Sequence, residues 1–304
     1  GVSVILPNYN HERYLQERLD SIFAQTFQNY EVILLDDAST DGSLEVLNQY
    51  RGHPKVSHFV VNTENTGTPF KQWVLGIQLA KGDYIWIAES DDVAHELFLE
   101  TTVSFARQQK ELGLVFVTSQ VIDEDGVLQS KLFKPQGKNT GFCISTVDDI
   151  SEHLVKNLCI LNASSVLFNA KILKNLNYSE LAGFKNTGDR YTYIKVALKA
   201  PLFFVDQPLN NYRSHSFNTT KINKGNKNLY LDRLQIVADL IPVFAIQPLA
   251  SIKLRDFYYE QLVILLRVGF FIKVNIINFR MLQYGFIGVR VYFELLFLGL
   301  FIQF

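Results

Sequence analysis

Tyr84-Ile85-Trp86-Ile87-Ala88-Glu89-Ser90-Asp91-Asp92 is the stretch whose reading decides the fold. An apolar run rich in β-branched and aromatic residues, introduced by Lys81-Gly82-Asp83, ends abruptly in three carboxylates. Such a run reads as a buried strand of a parallel sheet. Glu89, Asp91 and Asp92 then sit at its carboxyl end, the edge at which open α/β sheets bind ligands. Carboxylates crowded there repel one another unless a cation neutralises them, and hard oxygen ligands suit Mg²⁺ or Mn²⁺. Ser90 or Asp92 capping a helix that begins near Ala94 is the plainer alternative. A cap needs one acid and leaves the others unexplained.

Upstream, strands and helices alternate. Val2 to Pro7 is a strand, followed by the turn Asn8-Tyr9-Asn10, and Arg13 to Gln25 keeps helical apolar spacing. Glu31 to Leu35 is a second strand ending in Asp36-Asp37, with a capped helix after it. Val56 to Val61 is a third strand, and Pro69 opens a helix that runs to Ala80. This order predicts an α/β fold with a mostly parallel, doubly wound sheet. Asn8-Tyr9-Asn10, Asp36-Asp37 and Asp91-Asp92 all fall on one edge of that sheet. There Tyr9 offers a face for stacking, Asp37 accepts from a base N–H, and the paired acids hold a metal with a diphosphate. Capping and turn packing remain open for each of these residues taken singly. No glycine-rich phosphate loop follows the first strand.

The second half is expected to be mixed. Leu114 to Ile122 is a strand with a hairpin turn at Asp123-Glu124-Asp125-Gly126. Lys131 to Cys143 reads as a loop able to cover a substrate, Val147 to Lys156 as a helix, and Asn162 to Phe168 as a strand entering a helix. The small polar residues at the start of that strand, Ser164 among them, either approach an acceptor hydroxyl or simply form a strand end. Asp189 opens a helix whose expected inner face is Tyr193, Ile194, Ala197 and Leu198, so a helix cap is one reading of it.

Across its 304 residues the chain is 48% hydrophobic, and its formal net charge of −1 leaves no electrostatic footprint for nucleic acid. Cys143 and Cys159, with no Cys-x-x-Cys, indicate neither a disulfide framework nor a zinc knuckle. They fit a reducing compartment, so a cytoplasmic location is expected. The start at Gly1-Val2-Ser3 fits a segment excised from a longer chain.

Pro7-Asn8-Tyr9-Asn10, Asp36-Asp37-Ala38-Ser39-Thr40-Asp41 and Ala80-Lys81-Gly82-Asp83-Tyr84-Ile85 through Asp91-Asp92, in that order, resemble the family 2 glycosyltransferases of the GT-A fold. Thr187-Gly188-Asp189-Arg190-Tyr191 resembles the family's base motif, and Tyr212-Arg213-Ser214-His215 its Tyr-Arg-x-His segment. The resemblance implies an inverting, metal-dependent transferase of bacterial type that uses a nucleotide-diphosphate sugar, by default a UDP-sugar. A saccharide or lipid-linked acceptor in cell-surface polysaccharide synthesis is implied with it. Carried over residue by residue, it assigns Asp189 as the general base. Pro7, Tyr9, Asp37, Lys71, Ser90 and Asp91 fall to the nucleotide. Asp92, Asp91 and His215 fall to Mg²⁺ or Mn²⁺, and Arg213, Glu89 and Ser164 to the diphosphate or acceptor. Glu89 stands where many members carry Asp. The processive Gln-x-x-Arg-Trp signature is absent, which favours single-sugar transfer.

The implied division is a catalytic domain over 1–228, with a nucleotide half over 1–92 and an acceptor half over 93–228, and a helical apolar extension over 229–304. Thr219 to Asn228 reads as a mobile basic loop or a solvated linker. Helices are expected over Leu229 to Ile241 and Leu254 to Phe271. Basic residues among bulky apolar ones from Leu254 onward suit either a membrane-interface helix on the inner face of the cytoplasmic membrane or packing on the catalytic domain or a partner subunit. Two other classes stay open: a sugar-1-phosphate nucleotidyltransferase, and a non-catalytic nucleotide-sugar-binding or membrane-docking module. The first would want a glycine-rich basic loop after strand one. The second does not account for Asp37, Asp91, Asp92 and Asp189 together.

Overall fold

The computed structural model describes residues 1–109, 111–216, 218, 227–244, 256–258, 278 and 281–283. The first half is built as β1 (Val2–Asn8), α1 (Glu12–Phe23), β2 (Tyr30–Asp36), α2 (Ser43–Asn48), β3 (Val56–Val61), α3 (Pro69–Leu79) and β4 (Tyr84–Ile87). Its strands pair in parallel in the order β3-β2-β1-β4. Alternate residues go to opposite faces. Ile5, Ile33 and Ile85 face a core shared with Trp73 and Ile77 of α3, whereas Val4, Val32 and Trp86 face Leu15 and Leu19 of α1. Both faces are covered, which is why these strands read as continuous apolar runs. Pro7 lies beyond the last β1–β4 pair, Ile5 with Ile87, so its missing N–H breaks no rung of that ladder.

The second half is mixed. It comprises β5 (Val93–Ala94), α4 (Phe98–Gln108), β6 (Leu114–Ile122), β7 (Leu128–Phe133), β8 (Cys143–Ile144), α5 (Val147–Ile150), β9 (Val166–Asn169), α6 (Ala170–Lys174), α7 (Tyr178–Gly183), α8 (Gly188–Ala197), β10 (Leu202–Arg213) and α9 (Lys227–Phe244). The sheet continues from β4 as β9-β6-β10-β5, antiparallel at β4–β9, β9–β6 and β10–β5 and parallel at β6–β10. β7 and β8 add antiparallel pairs to β6 and β10.

Several expectations are corrected. Residues 93–94 form a strand held by Asn210 and Asn211 of β10, and the helix expected near Ala94 begins at Phe98. Residues 131–133 belong to β7, and the rest of the expected covering loop is tied along β10 instead of hanging free. Gly141 donates to Phe204 O (3.0 Å), Phe204 to Phe142 O (2.9 Å), and Lys134 pairs with Asp206. α9 starts at Lys227, across the expected boundary at 228. Its Leu234, Val237, Leu240 and Ile241 are buried in the same core as Ile5 and Trp73. α8 is consequently buried on almost every face and not on one. Of the expected 219–228 loop, residues 227 and 228 instead open α9 and 219–226 lie outside the described residues, as does nearly all of 254–304. Among the described residues no helix is long and apolar enough to cross a membrane.

Gly82 shows why the stretch entering β4 needs glycine. Its N–H donates to Ser3 Oγ at 2.8 Å, and a Cβ there would lie 2.6 Å from Ser3 N and 2.7 Å from Val2 C. Those are backbone atoms of β1 and cannot swing away. Gly82→Ala should therefore lower unfolding stability by about 1–3 kcal/mol, the usual penalty of overpacking. A urea titration reads this as a fall in midpoint, and an unchanged midpoint would show that β1 and β4 are free to part.

Candidate functional site

The carboxyl ends of β1, β2 and β4 and the end of β10 converge on one edge. Two residues there sit in the left-handed backbone region, Asn10 (φ 54°) and Ala38 (φ 60°). Asn10 earns its place by hydrogen bonding: its Oδ1 accepts from Thr40 N at 2.7 Å, and its N–H donates to Ser39 Oγ at 3.0 Å. Ala38 has no such compensation of its own, and strain of this kind gathers at functional turns. Asp36 is structural, accepting from Asn8, Ser39 N and Ser39 Oγ.

Asp37 is buried and heavily engaged. Its Oδ1 accepts from Asn62 (2.7 Å), Gln72 (2.8 Å) and Thr66 N (3.1 Å), and its Oδ2 from Thr66 N (3.1 Å) and Thr66 Oγ1 (2.8 Å). The carboxylate thus ties the 62–72 segment to the end of β2. Lys71 is exposed and donates to Thr66 O at 3.2 Å on the same rim. Tyr9 is 44% exposed, with a ring free to stack.

Past β4, Asp91 and Asp92 have different surroundings. Asp91 Oδ2 is 3.0 Å from His215 Nε2 and 3.4 Å from Asn218 Nδ2. Burial works against its ionisation. The His215 hydrogen bond and the His11 and His215 rings outweigh this and hold its carboxyl below the ordinary value. Asp92 is fully buried, accepting from Asn162 Nδ2 at one oxygen and from Arg213 N (3.0 Å) at the other. Burial, with the neighbouring Asp91 charge, raises its carboxyl.

His11, Asp91 and His215 each offer a ligand atom, all within 4.8 Å of one another. This donor set of two imidazoles and a carboxylate fits a divalent transition ion such as Mn²⁺ better than Mg²⁺, which prefers oxygen. Sequence reasoning missed His11. It directly follows the Asn8-Tyr9-Asn10 turn, and that position was the signal available. Ser90 Oγ lies 2.8 Å from His11 Nδ1, so Ser90 orients a prospective ligand from within the protein, buried from any nucleotide. Asp92, expected as a ligand, is not part of this cluster.

Two further expectations are corrected by burial. Arg213 is 1% exposed and its guanidinium is consumed by the protein: Nε donates to Asp91 O (2.8 Å), Nη1 to Asp123 O (3.2 Å), and Nη2 pairs with Glu17. It also lies over the Tyr14 ring at 4.9 Å, so it clamps loops and does not reach for a diphosphate. Ser164 is fully buried. Its Oγ receives Glu89 N (3.1 Å) and Arg18 Nη2 (3.3 Å), and its carbonyl receives Trp86 Nε1 (2.9 Å). It builds the floor of the site and is not available to an acceptor.

Arg18 on α1 is the counter-charge beneath the acids. It is fully buried, 4.8 Å over Trp86, with Nε and Nη1 lacking a hydrogen-bond partner among the described residues. Burial pushes its pKa down to about 10 against the pull of Asp92, Asp91 and Glu89, which leaves it charged at neutral pH. Glu89 is half-buried. Desolvation, then Asp92, Asp91 and Asp189, raise its carboxyl well above the ordinary value, with Arg18 opposing them. Glu89 thus senses the β4-end acids and Asp189 together.

Asp189 lies in the first turn of α8, where the cap residue is Thr187 and its own side chain makes no cap hydrogen bond. Desolvation raises Asp189 to about 6, against the backbone N–H and charge of Arg190, with Asp232 adding to the rise. A half-buried carboxyl poised near neutral pH suits a general base. The turn is packed tightly: a Cβ on Gly188 would meet the Phe70 ring at 2.7 Å.

Residues 3–151 match the family described as Glycosyl transferase family 2. Glycosyltransferase GlyG of Streptococcus pneumoniae is 29% identical over 223 residues, 71% of each chain. A poly(ribitol-phosphate) beta-glucosyltransferase of Bacillus spizizenii is 29% identical over 69% of this chain but only 32% of its own length. Among solved structures, Staphylococcus aureus TarS 1-349 superposes with a TM-score of 0.66 at 20% identity, covering 93% of this chain and 80% of that one. TarS 1-349 in complex with UDP-GlcNAc gives 0.64 at 20% identity over 84% and 71%. A mannosyltransferase of Pyrobaculum calidifontis with GDP-Man and Mn²⁺ gives 0.56 at 16% identity over 99% and 79%. Residues 3–151, spanning the nucleotide half and the start of the acceptor half, belong to glycosyl transferase family 2, of bacterial type, and the described chain shares the GT-A architecture of its solved neighbours.

Proposed function

We propose that the chain is an inverting glycosyltransferase moving a sugar from a UDP-sugar to a hydroxyl of a saccharide or lipid-linked acceptor in bacterial surface polysaccharide synthesis, on the cytoplasmic side of the membrane. The observation that carries this reading is the β4 end itself, where His11, Asp91 and His215 offer ligand atoms within 4.8 Å of one another beside Glu89, whose carboxyl is raised by desolvation first and then by Asp92, Asp91 and Asp189. A carboxyl fit to be a base therefore stands beside a cluster fit to hold a metal and a diphosphate. The relative named for poly(ribitol phosphate) and the TarS complex with UDP-GlcNAc support a UDP-sugar donor and a saccharide- or polyol-type acceptor.

In this reading Tyr9 stacks on the base, with Pro7 and Asp37 forming the wall behind it and Lys71 on the rim. His11, Asp91 and His215 would hold Mn²⁺ in preference to Mg²⁺, and the ion would neutralise the diphosphate. Asp92, with its raised carboxyl and two protein donors, keeps Asp91 placed and is not itself a ligand. Asp189 accepts the proton of the acceptor hydroxyl as its oxygen attacks the anomeric carbon. The bond from that carbon to the diphosphate oxygen breaks on the opposite face, and UDP leaves with the bonding pair. Glu89, whose carboxyl feels both the β4-end acids and Asp189, is assigned to contact the donor sugar or its diphosphate.

Two expected outcomes test this. In calorimetry, UDP should bind the wild type in Mn²⁺ and lose most of its affinity in EDTA, and Asp91→Asn in Mn²⁺ should resemble the wild type in EDTA. Equal UDP affinity in all three would refute the metal–diphosphate site. For the chemistry, Asp189→Asn should leave UDP–Mn²⁺ affinity nearly unchanged while UDP release from UDP-GlcNAc or UDP-glucose falls by about 10²–10⁴-fold. With the base at about 6, kcat in the wild type should fall roughly tenfold per pH unit below that value as Asp189 takes up its proton. It should level off above. Wild-type turnover in Asp189→Asn, or a flat profile from pH 5 to 7 (a range of about two units around that value), would remove Asp189 from the base role.

A further inference from the structure

Asp232 lies on α9, in the segment expected to be a separate extension, yet its carboxylate reaches into the turn that carries Asp189. It is 8% exposed. Its Oδ2 accepts from three consecutive backbone N–H groups, Lys185 (3.0 Å), Asn186 (2.6 Å) and Thr187 (3.2 Å), immediately before α8. The first N–H groups of a helix and the residues leading into it have no partners within the helix, and they favour a negative charge. Here Thr187 makes no side-chain cap, and the anion comes from a different element. The same turn is held on its other side by Thr68 Oγ1, which donates to Phe184 O at 2.7 Å, and by Phe70 against Gly188.

α9 is itself well anchored. Leu234, Val237, Leu240 and Ile241 are buried with Tyr191, Tyr193 and Ile194 of α8, and Lys195 pairs with Asp239 at 3.8 Å. The Asp232 carboxylate therefore stands on a rigid support. We propose that Asp232 is a positioning residue for Asp189, a carboxylate from the C-terminal helix that fixes the turn from which the general base acts. The proposal rests on the reading of Asp189 as the base. It makes α9 part of the transfer machinery, whatever the remainder of the C-terminal segment does.

The charged and titratable groups facing Asp189 are Arg190 on its own helix, Asp232 on α9, Glu89 past β4, and the hydroxyls of Tyr193 on α8 and Tyr212 on β10. Removing the Asp232 charge takes away one influence that raises Asp189, so the acid limb of the rate should move to lower pH. A displacement of the base by about 1 Å is enough to cost about a hundredfold in rate.

The test is a double-mutant cycle on the whole chain, read as UDP release from UDP-GlcNAc or UDP-glucose with Mn²⁺. Rates are normalised to UDP-binding sites counted by calorimetry, so that any unfolded fraction drops out. Asp232→Ala should lower kcat by about ten- to a hundredfold and leave UDP–Mn²⁺ affinity within about twofold. Asp232→Asn, which keeps an acceptor for the three N–H groups, should recover part of kcat while still shifting the acid limb downward. Adding Asp232→Ala to Asp189→Asn should cause little further loss, because a residue that acts through the base has nothing left to position. Wild-type kcat in Asp232→Ala, or the same fold loss with and without Asp189, would overturn the proposal and leave the base reading intact. Full activity in Asp189→Asn alone would instead defeat the base reading.

Discussion

The structure turns on how one sheet edge tolerates three carboxylates within four residues. Uncompensated charges of like sign at a buried strand end are expensive, and each part of the site answers that problem. Arg18 places a permanent cation beneath the acids and stacks on Trp86. Asn162 and the Arg213 N–H absorb Asp92, and His215 with Asn218 receives Asp91. Glu89, left with the least compensation, is pushed toward its neutral form. α1, β10 and the turn before β9 thereby share a single electrostatic task, which fixes their relative positions at the point where a metal and a diphosphate would bind.

Much of this was legible in the chain. The parallel half could be read from short β-branched runs ending in Asn or Asp, because strands buried on both faces leave that trace. Val56–Val61 and Leu114–Ile122 match the expected bounds. What could not be read depends on distant partners. β5 is two residues long and exists through pairing with Asn210 and Asn211. Arg18 lies in a helix where an arginine ordinarily reads as solvent-facing, and only the acids behind Trp86 justify burying it. Arg213 looked like an anion-binding side chain, and its fork is filled by carbonyls of Asp91, Asp123 and Glu124 and by Glu17. His11 was passed over because a single histidine carries no spacing signal of its own.

The second lesson concerns α8 and α9. From sequence, α8 has an inner face and α9 belongs to an appendage. In the fold α8 lies between the sheet and α9, so nearly all its side chains are buried. A helix packed on both sides is a firm platform, and the base candidate sits in its first turn. The apolar character of α9 follows from this burial within the core, without any appeal to lipid.

The central claim is that the metal-binding centre is His11, Asp91 and His215, with Asp92 as a buried support. A crystal of the protein grown with UDP and Mn²⁺, with diffraction recorded near the manganese absorption edge, tests it directly. The account predicts an anomalous peak within coordinating distance of all three residues and contacting the diphosphate. A peak coordinated by Asp92 without the histidines, or a bound UDP with no anomalous peak beside it, would contradict the account.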